Sequence, residues 1–140
     1  MIILDTNVVS ELMRRNPDPD VVAWTDRQFD TTLYLTTITL AEIRFGIAAL
    51  PDGKRRRELD AAFESEIRPL FEDRILAFDE RASVHNAALR AAARARGAAI
   101  GDGDALISAI ALAHDFAVAT RDTAPFAEAG VDVIDPWTAA

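Results

Sequence analysis

Asp5, Glu42, Asp104 and Asp122 come from four distant parts of the chain, and the elements around them should place all four at one edge of a sheet. Asp5 follows the apolar run Ile2-Ile3-Leu4, and Asp122 follows the run from Phe116 to Thr120. In an open parallel sheet the working crevice lies beyond the carboxyl ends of the strands. Helices that follow strands begin at that same edge, which is where Glu42 is expected, in the first turn of its helix, and Asp104, at the entrance to another. A single acid near a helix start needs no function, because capping and the helix dipole favour it by ~0.3–1 kcal/mol. Four carboxylates crowded together repel one another unless a cation neutralises them. All-oxygen ligation points to Mg²⁺ or Mn²⁺ rather than zinc. The chemistry that such a cluster serves best is phosphate-ester hydrolysis, with one ion, or two ions ~4 Å apart, screening phosphate oxygens and acidifying a water.

The elements that must position these acids can be read along the chain. Ile2–Leu4 is a short buried strand, and the Asp5-Thr6-Asn7 cluster leads into a helix from about Val8 to Arg15 that Asn16-Pro17-Asp18-Pro19 stops. A short helix is predicted around Val21 to Arg27 and a strand over Leu33 to Thr36. Beyond Thr39, a suitable N-cap, Leu40, Ile43, Ile47 and Leu50 recur at helical spacing until Pro51-Asp52-Gly53. A longer helix follows from Lys54 to Phe71, then a strand from Arg74 to Phe78, then an alanine-rich helix capped by Asp79 and ended by Gly97. Gly101-Asp102-Gly103-Asp104 opens Ala105 to Ala113, apolar on every side and so buried in the middle of the fold. Phe116 to Thr120 is a strand, Pro125 to Ala129 a short helix, and Val131 to Ile134 the last strand. Strands separated by helices imply right-handed crossovers and a three-layer α/β/α domain around a short parallel sheet.

Length and composition narrow the function. At 140 residues one domain spans the chain and can bury roughly 68% of its unfolded surface. No apolar run approaches the ~20 residues of a bilayer span. With no cysteine, a disulfide scaffold, a zinc finger, an iron–sulfur site and a thiol nucleophile are excluded. No signal peptide is read at Met1-Ile2-Ile3-Leu4, so the expected location is the cytoplasm. The single lysine, Lys54, lies outside any phosphate-cradling loop, which removes the P-loop NTPases and leaves a Schiff-base mechanism without support. No serine lies in a GxSxG elbow. The net charge of −8 argues against capture of nucleic acid by bulk electrostatics. An acidic pocket nevertheless accepts a phosphodiester once an ion has set the local sign.

Ile3-Leu4-Asp5-Thr6-Asn7, Leu40-Ala41-Glu42-Ile43-Arg44-Phe45-Gly46, Asp104-Ala105-Leu106-Ile107 and Ala119-Thr120-Arg121-Asp122, in that order and at these spacings, resemble the PIN-domain ribonucleases and, among them, the VapC-type toxins of bacterial toxin–antitoxin pairs. The resemblance covers nearly the whole chain. It implies that Asp5, Glu42 and Asp104 are the principal metal-site acids, that Asp122 is the fourth, and that Thr6, Asn7 and Thr120 orient acids or waters. It also implies a Mg²⁺- or Mn²⁺-dependent endoribonuclease, a homodimer, and inhibition by a small antitoxin. An inhibitor with a basic C-terminal tip suits repelling carboxylates, since one arginine bridges two of them. Val9, Leu12 and Met13 are candidates to line a groove for its amphipathic segment, with core packing the expected fate of at least two.

Other residues have plainer expectations. Asp102 either adds a metal contact or caps its helix, and the cap is the preferred reading. Gly46, one turn beyond Glu42, suggests a close approach, most simply by packing. Arg44 and Arg121 each suit a carboxylate or a phosphate equally, Lys54-Arg55-Arg56-Arg57 reads as a solvated face, and Arg90 and Arg94 share a helix face. His85 and His114 lack partners for a zinc site, and Trp24 and Trp137 read as packing or interface residues. Two other functions fit parts of the pattern. A haloacid-dehalogenase-like phosphatase would use Asp5 as nucleophile but wants an aspartate where Asn7 stands and a downstream lysine. A non-catalytic protein of the same fold would act through a DNA-binding toxin–antitoxin complex.

Overall fold

The structure, a computed structural model, describes residues 1–139. In chain order the elements are β1 (Ile2–Leu4), α1 (Thr6–Leu12), α2 (Pro19–Asp26), β2 (Leu33–Thr36), α3 (Thr37–Ala48), α4 (Lys54–Ala62), β3 (Ile75–Leu76), α5 (Glu80–Ala95), α6 (Asp102–His114), β4 (Ala117–Ala119), α7 (Thr123–Glu128) and β5 (Val133–Ile134). The strands form one parallel sheet in the order β3-β2-β1-β4-β5. Consecutive side chains of a strand point to opposite faces, and β1 divides its apolar residues accordingly. Leu4 enters a core with Val8, Val21, Trp24, Leu35, Ile43 and Phe63, while Ile3 enters a second core with Leu89, Ile107, Ile110, Val118 and Phe126. The expected three layers follow from that alternation. Trp24, Ile107 and Phe126 are among the buried residues, and α6 is buried on nearly every side, as its composition requires.

Several boundaries shift for local reasons. Asp5, in extended conformation, caps α1 and accepts from the Thr6 N–H at 2.8 Å, so this helix starts earlier and ends earlier than predicted. Asp18 caps α2, with Pro19 in the first position, where its missing N–H costs nothing. Thr36, not Thr39, caps α3: it ends β2 in extended geometry and its Oγ1 accepts from the Thr39 N–H at 3.1 Å. Glu42 therefore sits in the second turn of α3. The helix expected from Lys54 to Phe71 is α-helical only to Ala62, continues as a wide π turn over Phe63–Ile67 and tightens to 3₁₀ over Arg68–Phe71. The reasons are Pro69, which has no N–H to donate, and the need to drive Phe63 fully into the core. The strands predicted at Arg74–Phe78, Phe116–Thr120 and Val131–Ile134 pair over shorter spans, and α7 begins two residues earlier than expected.

One helix, α5, breaks the simple rule that a helix begins at the edge where the preceding strand ended. Arg81, early in α5, donates to the carbonyl of Ala113 at the end of α6, and Arg90 reaches Asp102 at the start of α6. The helices α5 and α6 are thus an antiparallel hairpin, and of the two it is α6 that begins at the acid-bearing edge.

Candidate active site

Asp5 emerges from the central strand and is 5% exposed. Its backbone N–H donates to the carbonyl of Ala119 in β4 at 2.9 Å, continuing the ladder one residue past the strand. Its Oδ1 accepts from Thr6 N–H and its Oδ2 from the Thr120 hydroxyl, each at 2.8 Å. Thr120 is fully buried, and its hydroxyl also accepts from Asn7 Nδ2 at 3.2 Å and from the Asp122 N–H at 3.0 Å. One donor and two acceptor sites are all that a hydroxyl has, so Thr120 is saturated and ties β1, α1 and the start of α7 into one unit. Asn7 closes the ring by accepting from the Arg121 N–H at 3.3 Å. Of the three polar residues, Thr6 and Thr120 bond carboxylates directly, and Asn7 bonds Thr120 and the Arg121 N–H.

Glu42 is joined from the other side. The Thr6 hydroxyl donates to Glu42 Oε1 at 2.9 Å and lies 3.2 Å from the Thr39 hydroxyl. Gly103, in the first turn of α6, approaches so closely that a β-carbon there would lie 3.1 Å from Glu42 Oε2. Asp104, on the next residue, is half-buried, and Asp122 precedes α7 with its carboxylate making no capping bond. Asp5 and Asp104 feel the charges of the other acids. Burial raises the carboxyl of Asp5 above the usual range against the pull of its two hydrogen bonds, and Glu42 and Asp122 push it further up. Asp104 is pushed up to about 6, first by burial and then by the charges of Asp5, Asp122 and Glu42.

The donor set fits a hard divalent cation. Its ligand atoms are carboxylate oxygens, and the repulsion that raises Asp104 is what a cation would relieve. Among the described residues no three acidic or histidine side chains are drawn in tightly enough to enclose an ion by themselves.

Beside the acids, α1, α3 and α4 border a groove of about 690 Å³ that shares Thr6 and Glu42 with the site and is floored by Met13, Ile43, Ile47 and Leu59. Gly46 opens into it, and a β-carbon there would meet nothing within 4 Å, so packing does not explain this glycine. Of the three residues expected to line such a groove, Val9 is core, Leu12 packs against the core, and Met13 packs against the core and also lines the groove.

The remaining expectations divide. Asp102 does not cap α6: Gly101 holds that position, and Asp102 pairs with Arg90 at 3.1 Å on the exposed side of the hairpin. Arg44 is held in a fork by Glu64, at 2.8 and 3.2 Å, and takes none of the four acids. Lys54 pairs with Glu58 along α4, leaving a phosphatase mechanism without its lysine, and Asn7 spends its amide on Thr120 and Arg121. His114 packs against Phe116. Sequence reasoning missed Thr39 as a partner of Thr6, the contact of Gly103 with Glu42, and the stacking of Arg121 on Trp137. For Gly103 the paired glycines of Gly101-Asp102-Gly103 were the available signal.

A parallel sheet whose central strands end in acids beside a buried helix that starts in another defines a class, and the chain belongs to the PIN-domain family, whose model matches residues 2–131. Within it the chain is a nuclease toxin of the VapC and FitB kind. It is 53% identical to VapC ribonuclease Y4jK of Sinorhizobium fredii over 98% of both chains. It is 45% identical to Toxin FitB of Neisseria gonorrhoeae over 98% of this chain and 99% of that one. The crystal structure of FitAcB from Neisseria gonorrhoeae superposes with a TM-score of 0.94 at 45% identity, covering 99% of this chain and 100% of that chain.

Proposed function

We propose that this toxin is a cytoplasmic endoribonuclease that depends on Mg²⁺ or Mn²⁺, with Asp5, Glu42, Asp104 and Asp122 as the catalytic and metal-holding acids. The observation that carries the reading is the charge frustration at the sheet edge: burial and the neighbouring carboxylates raise the proton affinity of Asp5 and Asp104, and no basic side chain among the described residues pairs with any of the four acids. A bound divalent ion supplies neutralisation of the phosphate oxygens and an acidified water. The chain's own residues do the rest. Thr120 and the Thr6 N–H hold Asp5 in one orientation, the Thr6 hydroxyl holds Glu42, and Asn7 fixes the turn that carries Asp122. Asp5→Asn is expected to abolish metal-dependent cleavage of total RNA while leaving the fold intact, as is excess EDTA on the wild type. Equal cleavage in either case would sink the metal-site assignment. Partner-free protein that cuts no RNA with Mn²⁺ would leave the non-catalytic reading in its place.

Control of such an enzyme falls to a cognate antitoxin, in keeping with the solved FitAcB assembly to which this chain is similar. The groove supplies a place for it: an amphipathic segment laid on Met13, Ile43, Ile47 and Leu59 would run to Thr6 and Glu42, where a basic C-terminal residue meets the acids. Inhibition would then combine occlusion with charge substitution. Removing that basic residue should restore RNase activity in the co-expressed pair; full inhibition by the truncated partner would show that occlusion alone suffices. A homodimer is the expected state of the toxin, to be read by light scattering.

A further inference from the structure

Arg121 differs from the arginines that are tied to carboxylates. Arg14 pairs with Glu11 at 3.3 Å, Arg44 with Glu64 at 2.8 Å and Arg90 with Asp102 at 3.1 Å. Arg121 lies between Thr120 and Asp122, beside the four acids of the site, yet among the described residues it pairs with no carboxylate. Its guanidinium instead lies over the ring of Trp137, 5.1 Å from the ring centre. Both partners are held in place. The Arg121 N–H is tied to Asn7 Oδ1. Trp137 follows β5, which ends on the same edge as β4; its N–H donates to Asp135 Oδ1 at 2.9 Å, and its ring packs against the core.

A guanidinium over an indole face is attracted by the ring and stiffened by it, without surrendering its in-plane donors. The arrangement keeps a cation at the site without spending the acids' lone pairs on it. What it offers is a planar fork of N–H groups at the rim of a hydrolytic site, and the partner such a fork matches is an acceptor-only oxyanion such as phosphate. A chain of net charge −8 gathers little RNA by its overall field, so a fixed local cation matters more here than it would on a basic nuclease. We infer that Arg121, seated on Trp137, binds a phosphate of the RNA strand flanking the bond that is cut. The inference rests on the RNA-cleaving reading above.

The test uses a labelled RNA oligonucleotide that the wild-type protein cuts with Mn²⁺. Arg121→Gln is expected to raise KM about tenfold with kcat within about twofold, and to lower the slope of log kcat/KM against log salt by about one. Arg121→Lys should keep the salt slope and recover part of KM, since it restores the charge but not the fork. Trp137→Phe should stay near wild type, and Trp137→Leu should raise KM several-fold. Two readouts are independent of turnover: Mn²⁺ affinity by calorimetry should not change in Arg121→Gln, and RNA affinity of the Asp5→Asn protein, by anisotropy, should fall about tenfold when Arg121→Gln is added. An unchanged KM and salt slope would overturn the inference, as would a loss of kcat accompanied by weaker Mn²⁺ binding, which would make Arg121 an organiser of the acids instead. Wild-type protein that cuts no RNA would overturn the parent reading, a different failure and visible before any variant is made.

Discussion

Asp5 and Asp122 leave neighbouring strands of one sheet, yet the molecule treats them oppositely. Asp5 is buried, accepts two hydrogen bonds at 2.8 Å and is anchored through its own N–H. Asp122 is exposed, and what holds it is its N–H on Thr120, not its carboxylate. Glu42 and Asp104 lie between these extremes. A site of this kind has one rigid corner against which the other acids adjust. Buried hydrogen-bonded groups hold orientation at the cost of desolvation, whereas exposed carboxylates give up little to rearrange around a hydrated ion. Rigidity is concentrated in Thr120, whose single hydroxyl serves Asp5, Asn7 and Asp122 together.

Thr120→Val is the strongest way to break that contrast. It removes the bond to Asp5 and leaves the Asn7 amide and the Asp122 N–H without their acceptor; unfolding in urea should show a loss of about 1–3 kcal/mol and initial rates a fall of about 10–100-fold. Thr120→Ser should recover most of both, and a fully active valine variant would show that Asp5 needs no lock. Asp122→Asn tests the loose end. Here a rate loss of about tenfold is expected with stability within about 0.5 kcal/mol of wild type, and a stability loss as large as that of Thr120→Val would mean the two corners are not different in kind.

The third prediction concerns charge in the metal-free protein. The carboxyl of Asp104 is raised from 3.8 to about 6, so between those values the folded state binds more protons than the unfolded chain and stability falls as pH rises. The contribution is fully present below about pH 4 and lost above about pH 6. Asp104→Asn should therefore stabilise the metal-free protein at pH 7 by roughly 1 kcal/mol after discounting for its solvent exposure, and the gain should vanish near pH 4. Melting curves in EDTA at the two pH values decide it; equal gains at both would mean that packing, not charge, is responsible. Smallest of all is Gly103→Ala. Its methyl would meet the far end of an exposed glutamate, which can swing aside, so a rate loss of about twofold to fivefold is expected with stability unchanged or slightly raised. A loss comparable to Thr120→Val would place Glu42 in the rigid half.

Much of this site is written in short stretches of sequence. Asp5 after Ile2–Leu4 and Asp122 after the apolar run from Phe116 are legible because a parallel sheet exposes only the ends of its strands. The buried character of α6 is legible because no polar face exists to turn outward. Thr36 and Thr39 illustrate where such reading fails. Both are threonines at the start of the same helix, and spacing alone favoured Thr39; the choice went to Thr36 because β2 delivers it in extended geometry with its hydroxyl on the Thr39 N–H. That released Thr39 to stand beside Thr6. The long helix predicted through Phe71 failed similarly, because burial of Phe63 outweighed regular α-helical continuation and Pro69 interrupted the hydrogen bonds beyond it.

Residue type and order, then, determined by themselves the alternation of strands and helices, the parallel sheet and the four acids at its edge, because each depends on local periodicity or on topology that few connections satisfy. Which of those acids is fixed and which is free was decided only by the fold. So was the fate of the arginines: Arg44, Arg90 and Arg121 are equivalent as letters, and what separates them is a glutamate 20 residues further along, an aspartate 12 residues further along and an indole from the segment after β5. Hydrogen bonds and charge contacts fall off within a few ångströms, and the partners that lie within that distance are chosen by the packing of the whole chain.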